Sequence, residues 1–448
     1  MIVSVLVEIS HKKIDKLFDY KVKDEDKDKI QIGIRVKVPF GKMILEGFVL
    51  DIKDEDEEQE VEEEYTLKEI IEIVDEEPLL NKELLELGKI IKQNTMSTQI
   101  SAYQSMLPSG YKARIKKQVK EKIVVKIKIK DKIDTTKLKL SDKQKEIIDE
   151  INKGNNLYTD LKKINSSVDT LLKNNIVEKE EVEVYRLKEK ESSYERKVLT
   201  KEQQEVADTI INNLDNYKDY LLYGVTGSGK TEVYMEVIDE VLKQGKEVIV
   251  LLPEISLTPQ IVDRFRGRFK EKISILHSGL SDGEKYDEYK RIRRKETKIV
   301  IGARSAIFAP FENIGLVIVD ECHSSTYKQD VMPRYDAIEV ARIRAKYYNV
   351  PLIMGSATPT LDQFARAKKG LYQLLTLKNR IGNAKLPKVE IIDMTREIRV
   401  KGTDLSQTLV NKIQEKLDKK EQVILFLNRR GYSNMFLCKD CGEIKKCP

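Results

Sequence analysis

Leu221-Leu222-Tyr223-Gly224-Val225-Thr226-Gly227-Ser228-Gly229-Lys230-Thr231 fits the pattern G-x-x-x-x-G-K-[ST], and its flanks decide how to read it. Residues 221–223 read as a buried strand, and residues 232–243 carry apolar side chains at helical spacing. A plain glycine-rich turn would satisfy the bare pattern. Strand before and helix after are what a phosphate cradle needs. Gly227 and Gly229 let the chain turn tightly, so that the N–H groups of Gly224, Val225, Thr226, Gly227, Ser228 and Gly229 face phosphate oxygens at a helix N-terminus. Lys230 then reaches the β- and γ-phosphates, and the Thr231 hydroxyl ligates magnesium. The expected ligand is a nucleoside triphosphate.

Working outward, the pattern from Tyr185 onward alternates strands with helices, the habit of a parallel sheet covered on both faces. Strands are expected at residues 220–223, 247–252, 273–276, 298–301, 316–319 and 351–354, forming a recombinase-like α/β lobe over residues 191–380. A strand at 423–427 would open a second lobe within residues 381–448. Leu316-Val317-Ile318-Val319-Asp320-Glu321 is an apolar strand ending in two carboxylates, costly to bury without a partner or a task. Beside a phosphate loop, Asp320 is placed to hold magnesium through water and Glu321 to activate an attacking water. A structural ion pair is the bland alternative. Gly355-Ser356-Ala357-Thr358-Pro359 follows the strand at 351–354, so Ser356 and Thr358 suit either a helix cap or a sensor of nucleotide state.

At 448 residues the chain is too long for one ordinary core. Lys+Arg 81 against Asp+Glu 75 leaves a net charge of +6, a weak pointer to polyanions. Acidic runs (Asp54 to Glu58 and Glu62 to Glu64) read as solvated faces. No stretch is apolar for long enough to span a bilayer, and Met1 to Val7 is followed at once by Glu8 and Lys12, so it reads as a strand and not a signal peptide. A cytoplasmic protein without a membrane partner is the expectation. Cysteine usage agrees: Cys322 stands alone, while Cys438, Cys441 and Cys447 have metal-like spacing rather than a disulfide framework.

Residues 1–108 read as a small β-rich domain. Val3, Val5 and Val7 alternate, as do Ile34, Val36 and Val38; Phe48, Val49 and Ile52 mark a third strand, Gly33, Gly41 and Gly47 are expected turns, and a helix over 81–92 closes the domain. Residues 109–190 suggest a winged-helix-like domain. Val125, Ile127 and Ile129 alternate with Lys126, Lys128 and Lys130; Ser141 and Ser167 suit helix N-caps; residues 176–182 suit a hairpin. Glu178, Glu180 and Glu181 would repel phosphate, so DNA binding and a mere spacer both stay open.

Asp320-Glu321-Cys322-His323 resembles the DExH box of superfamily-two helicases, and Ser356-Ala357-Thr358 their third motif. The blocks Leu252-Pro253-Glu254-Ile255-Ser256-Leu257-Thr258-Pro259-Gln260, His277-Ser278-Gly279-Leu280-Ser281 and Gly302 through Pro310 are similar to those of primosomal replication-restart helicases. That resemblance, which runs to the last residue, implies a multidomain α/β enzyme. The implied activity is ATP- and Mg2+-dependent 3′→5′ unwinding of stalled or abandoned forks to restart replication, by a nucleoid-associated protein working with primosome and single-strand-binding proteins. It implies that Gln203 contacts adenine, although an ordinary helix-start residue fits too. It implies that Tyr327, Lys328 and Tyr335 belong to an aromatic-rich loop contacting single-stranded DNA, where exposed rings stack on bases. Thr258 and Arg304 are candidate DNA-backbone contacts, and His323 couples nucleotide state to DNA. Phe18, Asp19, Tyr20, Gly33 and Lys68 match the family's pocket for the 3′ end of a nascent strand.

Two departures follow. Cys322 stands where the family has glutamate, and a small buried thiol is expected there. Cys438, Cys441 and Cys447 match the zinc-binding insertion, which in the family holds two Zn2+ ions, but three ligands do not complete a four-ligand site and in the family they do not share one ion. The motif bearing the catalytic arginine is absent, and such a residue contributes about 10³–10⁵ in rate. The expectation is a shortened helicase with little ATP hydrolysis; the alternative is a fork- and ATP-binding fragment with no catalytic role.

Overall fold

The computed structural model describes residues 1–53, 67–114, 119–130, 133, 135, 138–187, 194–254, 256, 258–381, 388–398, 405–426, 436–437 and 444–445. The chain divides into two compact units, Met1–Asn383 and Ala384–Pro448.

The first unit opens with β1 (Ile2–Val7), β2 (Phe18–Lys21), β3 (Arg35–Phe40), β4 (Met43–Lys53) and β5 (Glu72–Ile73), an antiparallel sheet in the order β2-β1-β4-β3-β5. Every residue of β1 is buried, because the strand is covered on both faces. Val3, Val5 and Val7 meet Ile34, Val36 and Val49 on one side. On the other, Leu6 joins α1 (Lys82–Thr95) and α2 (Gln99–Met106). Asn81 caps α1 by accepting the Leu84 N–H at 2.9 Å, as a short polar side chain should at that position. Gly41 makes the expected turn between β3 and β4, but Gly47 does not: it lies inside β4, opposite Val7. A Cβ there would come 2.6 Å from the Leu6 carbonyl oxygen, so close strand packing explains that glycine.

Next come β6 (Ile123–Ile129), α3 (Asp142–Asn152), α4 (Tyr158–Ile164), α5 (Ser167–Lys173) and β7 (Val177–Glu183). The hairpin expected over residues 176–182 is a single strand, paired antiparallel with β6 across the three helices. That register sets Lys126 opposite Glu180 and Lys128 opposite Glu178, so the basic and acidic faces neutralise each other across one ladder. Ser141 heads α3 with a full capping box; the cap of α5 is Ser166, one residue before Ser167.

The rest of this unit is the α/β lobe: α6 (Lys201–Ile211), β8 (Lys218–Gly224), α7 (Lys230–Lys243), β9 (Glu247–Leu251), α8 (Pro259–Phe269), β10 (Ile273–Leu276), α9 (Asp282–Arg293), β11 (Ile299–Gly302), β12 (Ile314–Val319), α10 (Ala337–Tyr347), β13 (Pro351–Ser356), α11 (Leu361–Lys368) and β14 (Gln373–Leu377). Its strands are parallel and ordered β10-β11-β9-β12-β13-β8-β14. Helices on both faces explain why the inner strands are continuous apolar runs. One core joins the sheet to α6, α7 and α8; the other continues from the sheet through Phe308, Phe311 and Ala341 into α1, α2, Leu6 and Phe48. The N-terminal sheet and the lobe therefore share one uninterrupted core. Tyr111 stacks on Tyr286 of α9 at 4.4 Å, and Arg186 pairs with Asp287 of the same helix at 2.6 Å.

In the second unit the described residues include α12 (Gln407–Asp418) and a short pair, β15 (Phe436–Leu437) with β16 (Ile444–Lys445). The strand expected over 423–427 is not formed at its described residues 423–426, where Ile424 is 92 % and Phe426 87 % exposed. An apolar run becomes a core strand only when a neighbour pairs with it. Leu427, Cys438, Cys441, Cys447 and the acidic run from Asp54 to Glu64 lie outside the described residues.

Candidate nucleotide and nucleic-acid site

Strands β12, β13 and β8 are neighbours, and their carboxyl ends deliver the candidate residues to one edge of the sheet, where open α/β sheets place their ligands. The phosphate loop leaves β8 at Gly224. Gly227 and Gly229 both take φ +82°, a left-handed conformation that only glycine adopts without strain, and Gly229 caps α7. The Lys230 amine donates to the Gly224 carbonyl at 3.0 Å, closing the loop on itself. Ser228 Oγ is buried with no hydrogen-bond partner among the described residues, and its chemistry suits a phosphate oxygen.

Gln203 is 3 % exposed and sits on this loop. Its Nε2 donates to the Ser228 carbonyl at 2.8 Å, and its Oε1 accepts the Thr200 N–H at 2.9 Å. A Cβ on Gly229 would stand 2.2 Å from that Nε2. The Nε2 bond fastens α6 to the loop, while the Oε1 bond belongs to the capping box of α6 itself. Thr200, Glu202, Gln203, Ser228, Arg380 and Ile381 line a cavity of about 540 Å³ beside it, roomy enough for a base.

Asp320 accepts the Tyr234 hydroxyl at 2.8 Å. Burial pushes its carboxyl above the usual range; the Tyr234 hydrogen bond and Lys230 draw it back, and the charge of Glu321 adds to the rise. Glu321 has φ +45°, left-handed backbone that a glutamate adopts only when its surroundings impose it. His323 Nδ1 lies 2.8 Å from Ser356 Oγ and 3.4 Å from Glu321 Oε2, while Ser356 Oγ also accepts the Thr358 N–H at 2.9 Å. The proposed coupling residues are therefore assembled around the carboxylate. Cys322 is buried as expected, its N–H on the Gly355 carbonyl at 2.9 Å, and burial pushes the thiol up to about 12.

The aromatic loop departs from expectation. Tyr327 and Tyr335 are 1 % and 4 % exposed, so neither ring offers a face to a base in this conformation. The Tyr327 hydroxyl lies 2.6 Å from the Asp320 carbonyl and 3.2 Å from that of Leu251, tying the tips of β9 and β12; Tyr335 packs edge-on against Phe308. Arg304 donates to the carbonyls of Thr326 (3.3 Å) and Lys328 (2.9 Å), bracing the loop from inside. Lys328, Asp330, Val331, Met332 and Arg334 are the exposed members. Thr258 is exposed and caps α8. A residue not foreseen is Tyr234, four positions after Lys230 and so on the same face of α7; that spacing was the available signal.

In the N-terminal sheet, Phe18 is half-buried and packs edge-on against Phe40 at 5.0 Å. Asp19 accepts from Ser4 Oγ at 2.5 Å and Lys53 at 3.3 Å. Lys68 is exposed beside β2, its carbonyl accepting the Lys21 N–H. Tyr20 and Gly33 are buried instead. Gly33 joins three segments: its N–H reaches the Val49 carbonyl, its own carbonyl accepts from Leu79 and Leu80, and a Cβ would meet the Leu80 carbonyl at 2.1 Å.

Residues 4–108 match the family described as 3'DNA-binding domain (3'BD), and residues 196–361 that described as Type III restriction enzyme, res subunit. Replication restart protein PriA of Bacillus subtilis is 38 % identical over 99 % of this chain and 64 % of its own length. The chain is similar to replication restart proteins named PriA over nearly its whole length. PriA of Haemophilus influenzae is 34 % identical over 97 % of this chain and 60 % of its own. The chain thus spans about three fifths of the length of these relatives. The res-subunit match covers the lobe alone, whereas the 3'BD match and the near full-length alignment reach beyond it. No helix among the described residues is long and apolar enough to cross a membrane.

Proposed function

We propose that this chain carries the ATP-binding lobe and fork-recognition domain of a 3′→5′ replication-restart helicase. The observation that carries the reading is the convergence of Lys230, Asp320, Glu321, His323 and Ser356 at one sheet edge, in a chain whose residues 4–108 match a 3'DNA-binding domain. Lys230 neutralises the terminal phosphates by exchanging its Gly224 carbonyl for phosphate oxygen, and Glu321 accepts a proton from the attacking water. The buried Ser228 Oγ and the two carboxylates at the end of β12 suit a magnesium nucleotide, which Thr231 would ligate and Asp320 would hold through water. Magnesium, when bound, offsets negative charge on the phosphates. Phe18, Asp19 and Lys68 are read as the pocket for a 3′-terminal nucleotide, by stacking, hydrogen bonding and phosphate pairing. Residues 109–190 are read as a winged-helix-like domain that serves as a spacer, in keeping with the neutralised faces of β6 and β7 and the pairing of Lys290 on α9 with Glu121 and Glu183. Primosome and single-strand-binding proteins are the implied partners. Zinc remains tied to Cys438, Cys441 and Cys447, which suit it by residue type.

The test is fork binding and ATP turnover by the 448-residue chain, using forks with an open or a 3′-phosphorylated nascent strand. Tighter binding to the open end, reduced by Asp19→Asn, supports the reading; equal affinity for both forks defeats the pocket. A chain that binds forks and Mg·ATP without turnover would act as a fork-binding module.

A further inference from the structure

We infer that Tyr234 is a positioning residue for the magnesium-holding carboxylate, linking the phosphate-loop helix mechanically to Asp320. The inference rests on the nucleotide-site reading above. Tyr234 lies one helical turn after Lys230, so both side chains leave α7 on the same face. Lys230 points back to the Gly224 carbonyl, while the Tyr234 hydroxyl reaches Asp320 Oδ1 at 2.8 Å. The ring is 1 % exposed, so no water competes for that bond.

The path between them is built for this contact. The phenol runs beneath the end of β13 at Gly355, where a Cβ would fall 1.7 Å from the hydroxyl oxygen and 3.0 Å from Asp320 Oδ1. Any larger residue at 355 would occupy the hydroxyl's place. The backbone there is held as well, because the Gly355 carbonyl accepts the Cys322 N–H at 2.9 Å. Pinning one oxygen of a carboxylate sets the plane of the group, and with it the direction of the second oxygen. The hydroxyl therefore orients Asp320 before any cation arrives, the role that outer hydrogen bonds play at metal sites. A tyrosine that only filled core would have no need of a glycine above its hydroxyl.

The test is ADP binding by calorimetry to the 448-residue chain, with and without magnesium chloride, for the parent and for Tyr234→Phe, which keeps the ring and removes one oxygen. The parent should bind ADP more tightly with magnesium. In Tyr234→Phe that gain should shrink by about tenfold, with magnesium-free affinity unchanged. Gly355→Ala, which displaces the hydroxyl, should behave likewise. An undiminished magnesium gain in Tyr234→Phe, or an equal loss of affinity with and without magnesium, overturns the inference. A parent that shows no magnesium effect defeats the nucleotide-site reading instead.

Discussion

Arg344 on α10 holds Glu83 on α1 through two parallel hydrogen bonds, Nε to Oε1 at 2.7 Å and Nη2 to Oε2 at 2.6 Å. Arg344 is fully buried, and its Nη1 donates to the carbonyls of Ile307 (2.5 Å) and Ala309 (2.9 Å). One guanidinium thus joins the N-terminal domain, α10 and the segment that begins with Arg304. Removing one partner would strand a charge in the core, at a cost of about 3–5 kcal/mol. Glu83→Ala should lower stability by that amount in denaturant unfolding followed by tyrosine fluorescence. Glu83→Leu combined with Arg344→Met should recover much of it, since an apolar pair strands no charge.

Lys230→Ala should leave the fold intact, because among the described residues the half-buried amine bonds only the Gly224 carbonyl. ADP binding should weaken by about 10- to 100-fold, the loss of a charge-assisted contact of about 1.5–3 kcal/mol. Calorimetry reads this directly, and circular dichroism confirms the fold.

Tyr327→Phe separates a core tie from a base-stacking ring. The lost hydroxyl takes a donor from the buried Asp320 carbonyl, while the Leu251 carbonyl keeps the Asp320 N–H, so stability should fall by about 1–3 kcal/mol while affinity for single-stranded DNA is unchanged. A drop in DNA affinity at constant stability would show that the ring meets a base. Lys328→Ala and Arg334→Ala, at exposed positions, should weaken DNA binding and flatten its salt dependence.

Cys322 should resist iodoacetamide in the folded chain at pH 8 and react on unfolding, as read by peptide mass spectrometry, because the thiolate is the reactive form and burial raises the thiol to about 12. The same shift makes stability depend on pH. Below the ordinary thiol value of 9.0 neither state ionises and the contribution is complete. Above it the unfolded thiol loses its proton while the folded one keeps it, so stability declines as pH rises from 9.0 toward about 12. Cys322→Ala should remove that portion of the alkaline loss.

Phosphate chemistry was legible because it is local. Gly227, Gly229 and Lys230 do their work through backbone conformation and spacing, and Leu316 to Val319 could only be a core strand ahead of Asp320. A sensing role for Ser356 could be read from its place at a strand end and a coupling role for His323 from motif resemblance, but the 2.8 Å contact between them came only with the fold. The edge strand β14 and helices α2 and α4 were missed because short elements are stabilised by what they pack against more than by their own pattern.

By itself, then, the sequence determined where a triphosphate can be held, how the lobe's strands alternate with helices, and which family the chain resembles; turn geometry and hydrophobic period act over a few residues. Only the tertiary structure decided which aromatic rings are available. Tyr327 and Tyr335 are covered by strand tips and Phe308, and burial depends on distant segments that no local pattern specifies. It also decided that residues 176–182 pair with β6, that Gln203 Nε2 reaches the Ser228 carbonyl, and that Tyr234 reaches Asp320. Each is a contact between parts of the chain far apart in sequence, selected by the packing of the whole sheet.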